Sequence, residues 1–133
     1  MTAWPLPSGF RCFLLRLFGA RVGRGVVIRS RVNITFPWRL TLGNHVWLGE
    51  EVSLHNLVPI VIEDHVCLSQ RAFLCTGSHD FRSAGFDLKT GPITIAPHSW
   101  IAANAFVGPN VHLGPHAMVT AGSVVTRSLP AAC

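Results

Sequence analysis

One aliphatic residue returns every six positions along most of this chain. From Val22 the steps land on Ile28 and Ile34, then on Leu42, Leu48 and Leu54, then on Ile62, Leu68 and Leu74. They resume at Ile95 and reach Ile101, Val107, Leu113, Val119 and Val125. Two residues before most of these stands a second small or aliphatic residue, such as Val26, Val46, Val66, Ala72, Ala105 or Val111. A period of six is neither the 3.6 of a helix nor the simple alternation of an isolated strand. It suits a short flat strand followed by a tight turn, three times per coil, with coils stacked at about 4.8 Å. The pattern predicts an all-β fold, a three-sided parallel β-helix of about five coils whose bore is filled by the repeated aliphatics. Gly43-Asn44, Gly49, Gly108-Pro109-Asn110 and Gly114-Pro115 fall between the steps, where sharp corners need special backbone angles.

The breaks in the rhythm are as informative. Two steps of eight, Ile34 to Leu42 and Leu54 to Ile62, contain Pro37 and Pro59. One step of 21, from Leu74 to Ile95, predicts a long inserted loop at 80–92. Residues 1–21 lie outside the repeat, and Phe10 to Phe18 followed by Gly19 reads as a short amphipathic helix with a glycine stop. The chain thus divides into a capping segment, 1–21, and a β-helix domain, 22–130. The helix closes the open edge of the first coil. An alternative use is contact with a membrane surface, with Arg11, Arg16 and Arg21 near lipid headgroups.

Composition narrows the partners. The 133 residues carry a net charge of +5, which favours an anionic ligand. No Lys/Arg run alternates with aromatics, so nucleic acid is not expected. Cys12, Cys67, Cys75 and Cys133 form no CxxC pair and no regular framework, which points to reduced thiols in a cytoplasmic chain. Arg11 and Arg16 interrupt the apolar stretch near the start, so it reads neither as a bilayer span nor as a signal peptide.

Seven histidines are the main candidates for chemistry. His45, His65, His98 and His116 each lie three residues after a repeat aliphatic, at a corner where a residue tolerant of left-handed backbone is wanted. His112 falls at a strand end, and His55 follows Leu54 beside Asn56. His79 sits where the regular step fails, and a long excursion from a regular solenoid is usually functional. A neutral imidazole there can take the proton of an attacking alcohol at physiological pH. No Ser or Cys lies in a recognisable nucleophile setting; Cys75 is the one rival and reads as a strand residue.

With the hexads laid out, the sequence resembles the hexapeptide-repeat acyltransferases. More narrowly it is similar to the colanic acid biosynthesis acetyltransferases, relatives of the maltose, galactoside and nodulation-factor acetyltransferases. The residues that carry this are Leu15-Arg-Leu-Phe-Gly-Ala20, Gly43-Asn-His-Val-Trp-Leu-Gly49, Leu74-Cys-Thr-Gly-Ser-His-Asp80, Trp100-Ile-Ala-Ala103 and Ala121-Gly-Ser-Val-Val-Thr-Arg127. The resemblance implies a left-handed β-helix, a homotrimer with sites between adjacent prisms, and transfer of acetyl from acetyl-CoA to a hydroxyl of a saccharide acceptor in exopolysaccharide assembly. It implies His79 as general base, without a metal. Trp100, Ala103, Ala121, Thr126 and Arg127 become the CoA contacts, and Asn33, Asn56 and Asp80 the acceptor side. It also leaves room for work at the inner face of the membrane. Arg127 stands where relatives more often have Lys, and Leu129-Pro-Ala-Ala-Cys133 stands where they continue into a Gly-Asn-Pro-Ala segment that helps close the CoA site. Two other readings stay open. One is a β-helix scaffold without catalysis; the other is a metal enzyme like the γ-class carbonic anhydrases, with His79, His112 and His116 as ligands.

Overall fold

The computed structural model describes residues 8–79, 84–85 and 88–129. The hexads form the expected solenoid. Each coil contributes one short strand to each of three faces, and every strand pairs in parallel with its counterpart one coil away. The first face stacks Arg21–Val22, Leu40–Leu42, Ile60–Ile62, Ile93–Ile95 and His112–Leu113. The second stacks Val27–Ile28, Trp47–Leu48, Cys67–Leu68, Trp100–Ile101 and Met118–Val119. The third stacks Asn33–Ile34, Ser53–His55, Phe73–Cys75, Phe106–Val107 and Val124–Val125. Leu129 then bridges to Leu113 and begins a further turn of the first face.

The repeat aliphatics face inward because strand side chains alternate, so one residue per hexad must enter the bore. Ile28, Leu48, Leu68, Ile62, Ile95, Leu74, Ile101 and Val107 are wholly buried there. Val22, Ile34 and Val125 are only partly buried, because the end coils have a neighbour on one side alone. Ser99 is a fully enclosed polar residue in the bore. Its Oγ lies 2.9 Å from the Ala96 carbonyl and 3.1 Å from that of Gly114, and accepts the Ala117 N–H. A hydroxyl so engaged carries little burial cost.

The first corner needs left-handed backbone in every coil. Gly25, His45, His65, His98 and His116 have φ of 69°, 56°, 57°, 64° and 59°. The second corner does the same at Arg31, Glu51, Arg71, Asn104 and Gly122. All the irregular steps collect at the third corner. Pro37–Arg39 makes a 3-10 turn there in the first coil. One coil on, Asn56 is buried with both amide atoms engaged, its Oδ1 accepting the Phe36 N–H and its Nδ2 donating to the Phe36 carbonyl.

The third coil leaves the prism at this corner as an antiparallel hairpin, Gly77–His79 against Leu88–Thr90. The excursion therefore begins at Gly77, three residues before the expected boundary. It rejoins at Gly91, where a Cβ would lie 2.7 to 3.0 Å from the Asn110 side chain and backbone, so only glycine fits without displacing the next corner.

The N-terminal helix, α1, spans Ser8–Leu17 and seals the edge of the first coil. Ser8 Oγ accepts the Ile28 N–H, the Arg11 guanidinium donates to the Ile28 carbonyl at 2.9 Å, and the Cys12 thiol reaches the Val26 carbonyl. Arg16 donates to the Val22 and Gly23 carbonyls. Arg11 is buried, which removes it from the alternative of a lipid-headgroup contact; Arg16 stays exposed, and both donate to backbone acceptors that an open strand edge would leave bare. Phe10, Phe13 and Leu17 remain exposed on the other side of α1. No helix among the described residues is long and apolar enough to cross a membrane.

Candidate active site

The third face and its two corners hold most of the residues that the sequence singles out. Strands of this face run from the second corner to the third. At the second corner, Ala103 and Ala121 lie one coil apart, and the Gly122 N–H donates to the Ala103 carbonyl at 3.0 Å. Trp100 stands at the start of the last strand before that corner, half exposed, its indole Nε1 donating to Ser69 Oγ at 2.8 Å. Thr126 and Arg127 follow the last strand of the third face and are exposed. The small side chains at Ala103 and Ala121 keep this edge narrow, which suits an extended, thin ligand better than a bulky one.

At the third corner the chain brings different chemistry together. His55 ends its strand in register with Cys75, and its Nδ1 lies 3.2 Å from Thr35 Oγ1 in the coil before. The Cys75 thiol turns to the Gly77 carbonyl at 3.1 Å, at the root of the hairpin. His79 closes the first hairpin strand, paired with Leu88. The His79 side chain and all of Asp80 lie outside the described residues. Thr76 anchors the hairpin: it is wholly buried, its Oγ1 donates to the His55 carbonyl at 2.8 Å, and it accepts the Val58 N–H. The hairpin root and His55 therefore form one hydrogen-bonded unit, and a residue on the hairpin is held relative to the third face. The Cys75 thiol in that unit is committed to the Gly77 carbonyl.

The acceptor-side candidates separate. Asn33 is exposed on the third face, in register with Ser53. Asn56, by contrast, is wholly buried with its amide committed to Phe36, so it is corrected from an acceptor contact to a corner clamp. Of the three histidines of the metal-enzyme reading, His112 is exposed on the first face. His116 ends a column of stacked rings at the first corner, its centroid 5.1 Å from that of His98. Among the described residues no group of three or more His, Cys, Asp or Glu side chains is placed to hold a metal ion. Burial pushes the Cys67 thiol above its ordinary range, with a weaker opposing hydrogen bond from Ser69.

Sequence reasoning missed two features. One is the bond between Thr35 and His55; the signal for it was that both follow a repeat aliphatic by one residue, exactly one coil of twenty apart. The other is a groove of about 400 Å³ on the second face beside Trp47. Its only trace in the sequence is tryptophan at the outward position of two hexads, Trp47 and Trp100.

Comparison with known proteins adds the family. No family model matches the chain. Escherichia coli WcaF, assigned by name to colanic acid biosynthesis as an acetyltransferase, is 49% identical over 122 residues, covering 92% of this chain and 67% of its own length. The galactoside O-acetyltransferase of the same organism is 25% identical over 88% of this chain, and this chain spans 59% of that protein. A hexapeptide-repeat-containing acetyltransferase of Vibrio cholerae, solved with acetyl coenzyme A, superposes with a TM-score of 0.88 at 25% identity, covering 97% of this chain and 72% of its own. Level of identity, breadth of coverage and the agreement of fold lead to one conclusion: this chain belongs to the hexapeptide-repeat acetyltransferases.

Proposed function

We propose that this protein transfers acetyl from acetyl-CoA directly to a hydroxyl of a saccharide acceptor, as a homotrimer, with His79 as general base. The observation that carries the reading is the hairpin at the third corner. Among the described residues it is the one large interruption of an otherwise regular solenoid, it contains His79, and its root is bonded to His55 on the face that joins the Ala103–Ala121 edge to Arg127. The saccharide class rests on the relatives named for colanic acid biosynthesis and for galactoside.

The chemistry asks little else of the chain. The His79 imidazole takes the proton of the acceptor hydroxyl as its oxygen attacks the thioester carbonyl. The tetrahedral intermediate collapses by expelling the CoA thiolate, which recovers the proton from the imidazolium. Its oxyanion needs a preorganised donor, for which a backbone N–H suffices. Trp100, Ala103 and Ala121 line the pantetheine, while Thr126 and Arg127 lie toward the nucleotide, where a guanidinium pairs with phosphate in two-pronged fashion. Asn33 and Asp80 serve the acceptor.

Trimer formation accounts for the apolar side chains left outside. Trp47, Trp100 and Met118 on the second face, with Phe73 and Val124 on the third, are all exposed in a single chain. Cyclic closure covers one face of each chain with the next. The test is calorimetric titration with acetyl-CoA, followed by a saccharide screen that detects the free thiol of CoA. Binding together with acceptor-dependent thiol release supports the reading. Absence of acetyl-CoA binding favours the scaffold.

A further inference from the structure

We infer that the capped end of the solenoid is a membrane-docking surface, which seats the outer side of α1 in the headgroup layer of an anionic lipid bilayer. The inference stands apart from the transferase reading. It uses neither His79 nor any residue placed against donor or acceptor.

Helix α1 presents two different sides. Cys12 and Leu15 are buried on the first coil, with the Arg11 guanidinium turned in to the Ile28 carbonyl. Phe10, Phe13 and Leu17 stand on the other side at helical spacing, 44%, 55% and 67% exposed. The two phenyl rings stack with centroids 6.3 Å apart. Phe18, 60% exposed, follows the stripe at the end of the helix. Trp38 adjoins that end: a Cβ on Gly19 would lie 2.9 Å from the Trp38 Cβ, and Trp38 is 58% exposed. Large apolar side chains thus line one end of the molecule together, which marks a contact surface where single scattered ones would not.

The charge around this stripe has one sign. Residues 1–49 hold seven arginines and no Asp or Glu, whereas all six acidic residues of the chain lie beyond them. The net +5 is therefore a +7 end and a −2 remainder. The first coil carries an exposed arginine at each of its three corners, Arg24, Arg31 and Arg39, and Arg16 and Arg21 are exposed beside α1. Arg16 and Arg39 donate to backbone carbonyls, which leaves their charge uncompensated. Among the described residues, Arg29 alone of this set pairs with a carboxylate, that of Glu50.

An apolar stripe ringed by cations matches anionic headgroups over acyl chains. The phenyl and leucyl side chains enter the boundary while the arginines stay level with phosphate. An indole suits the same depth, being apolar with a single N–H donor. A second copy fits worse, since two such ends brought together set arginine against arginine. Closure through the sides of the prisms also leaves the ends open. A cyclic trimer with prism axes along its symmetry axis carries three caps on one side, and three weak contacts then act as one.

The test is co-sedimentation of the full chain with vesicles of phosphatidylcholine, alone or mixed with phosphatidylglycerol, at low and high salt. The chain should partition into the mixed vesicles, less so at high salt, and little into the neutral ones. Arg21→Gln with Arg24→Gln should weaken partition about fivefold per charge removed. Phe13→Ser with Leu17→Ser should weaken it about tenfold or more. All four side chains are exposed, so unfolding midpoints near that of wild type should accompany both losses. No partition into either vesicle, equal partition into both, or wild-type partition in either double variant overturns the inference. So does a fall in oligomeric mass on Phe13→Ser with Leu17→Ser, which would give the stripe to another copy of the chain. Binding of polyglutamate without binding of vesicles also overturns it, in favour of an acidic protein. Acetyl-CoA titration of the same wild-type sample separates the two proposals, because lost donor binding counts against the transferase reading and not against docking.

Discussion

His45, His65, His98 and His116 stack at one corner, with ring centroids 5.1, 4.9 and 5.1 Å apart, because each occupies the left-handed position of its turn. Histidine tolerates that backbone better than a branched residue, and the coil spacing then brings the rings into contact. Gly25 holds the same place in the first coil, where a Cβ would lie 2.4 Å from His45 Nδ1. Gly25→Ala should therefore cost about 1–2 kcal/mol in thermal or denaturant unfolding. The added change His45→Ala should restore the steric part and leave the backbone part. Cys12 provides a pH-dependent case. Burial is the largest effect on its thiol and pushes it above the ordinary cysteine range, against the weaker pull of Arg16. The folded chain then holds that proton more tightly than the unfolded chain, so stability is retained at neutral pH and lost as pH rises past the ordinary thiol range, about 8.5. Unfolding midpoints measured from pH 7 to 10 should fall at the alkaline end, less steeply in Cys12→Ala.

Single elements show what could be read from residues alone and what could not. The fifteen aliphatic steps were legible because burial in the bore is decided one hexad at a time, and each of them faces inward. The helix was legible from its apolar spacing and glycine stop, and α1 ends where Ala20 N–H returns to the Leu15 carbonyl beside Gly19 at φ 100°. The start of the insertion was misplaced because Gly77, Ser78 and His79 are too few to reveal a change from hexad to hairpin. The groove was illegible because Arg29, Trp47 and Ser69 meet only when coils stack. The hand of the solenoid is set by no periodicity, and the usual crossover rule favours the opposite one. The bonds from α1 to the Val26–Ile28 backbone give a prediction at this scale. Arg11→Met keeps the aliphatic stem but strips the Ile28 carbonyl of its buried donor, so it should destabilise the chain by about 1–3 kcal/mol in urea unfolding. An unchanged midpoint would mean that the helix covers the coil by apolar contact alone.

For the whole molecule, function depends on faces that one chain leaves uncovered. Trp100 is 49% exposed and Val124 69% exposed, values that a cyclic trimer would lower. Light scattering at micromolar concentration should give three times the chain mass, and a monomer there would remove the basis for sites shared between prisms. The base is the next question, because the hairpin that carries His79 is rooted by the Thr76 hydroxyl on the His55 carbonyl. General-base catalysis contributes about 10²–10⁴-fold. The most direct measurement is the rate of acetyl transfer from acetyl-CoA to a saccharide acceptor by wild type and His79→Ala, with His45→Ala as a corner control. Loss of that order in His79→Ala alone, with CoA affinity and oligomeric mass intact, is the expected result, and near-normal turnover in His79→Ala would contradict it.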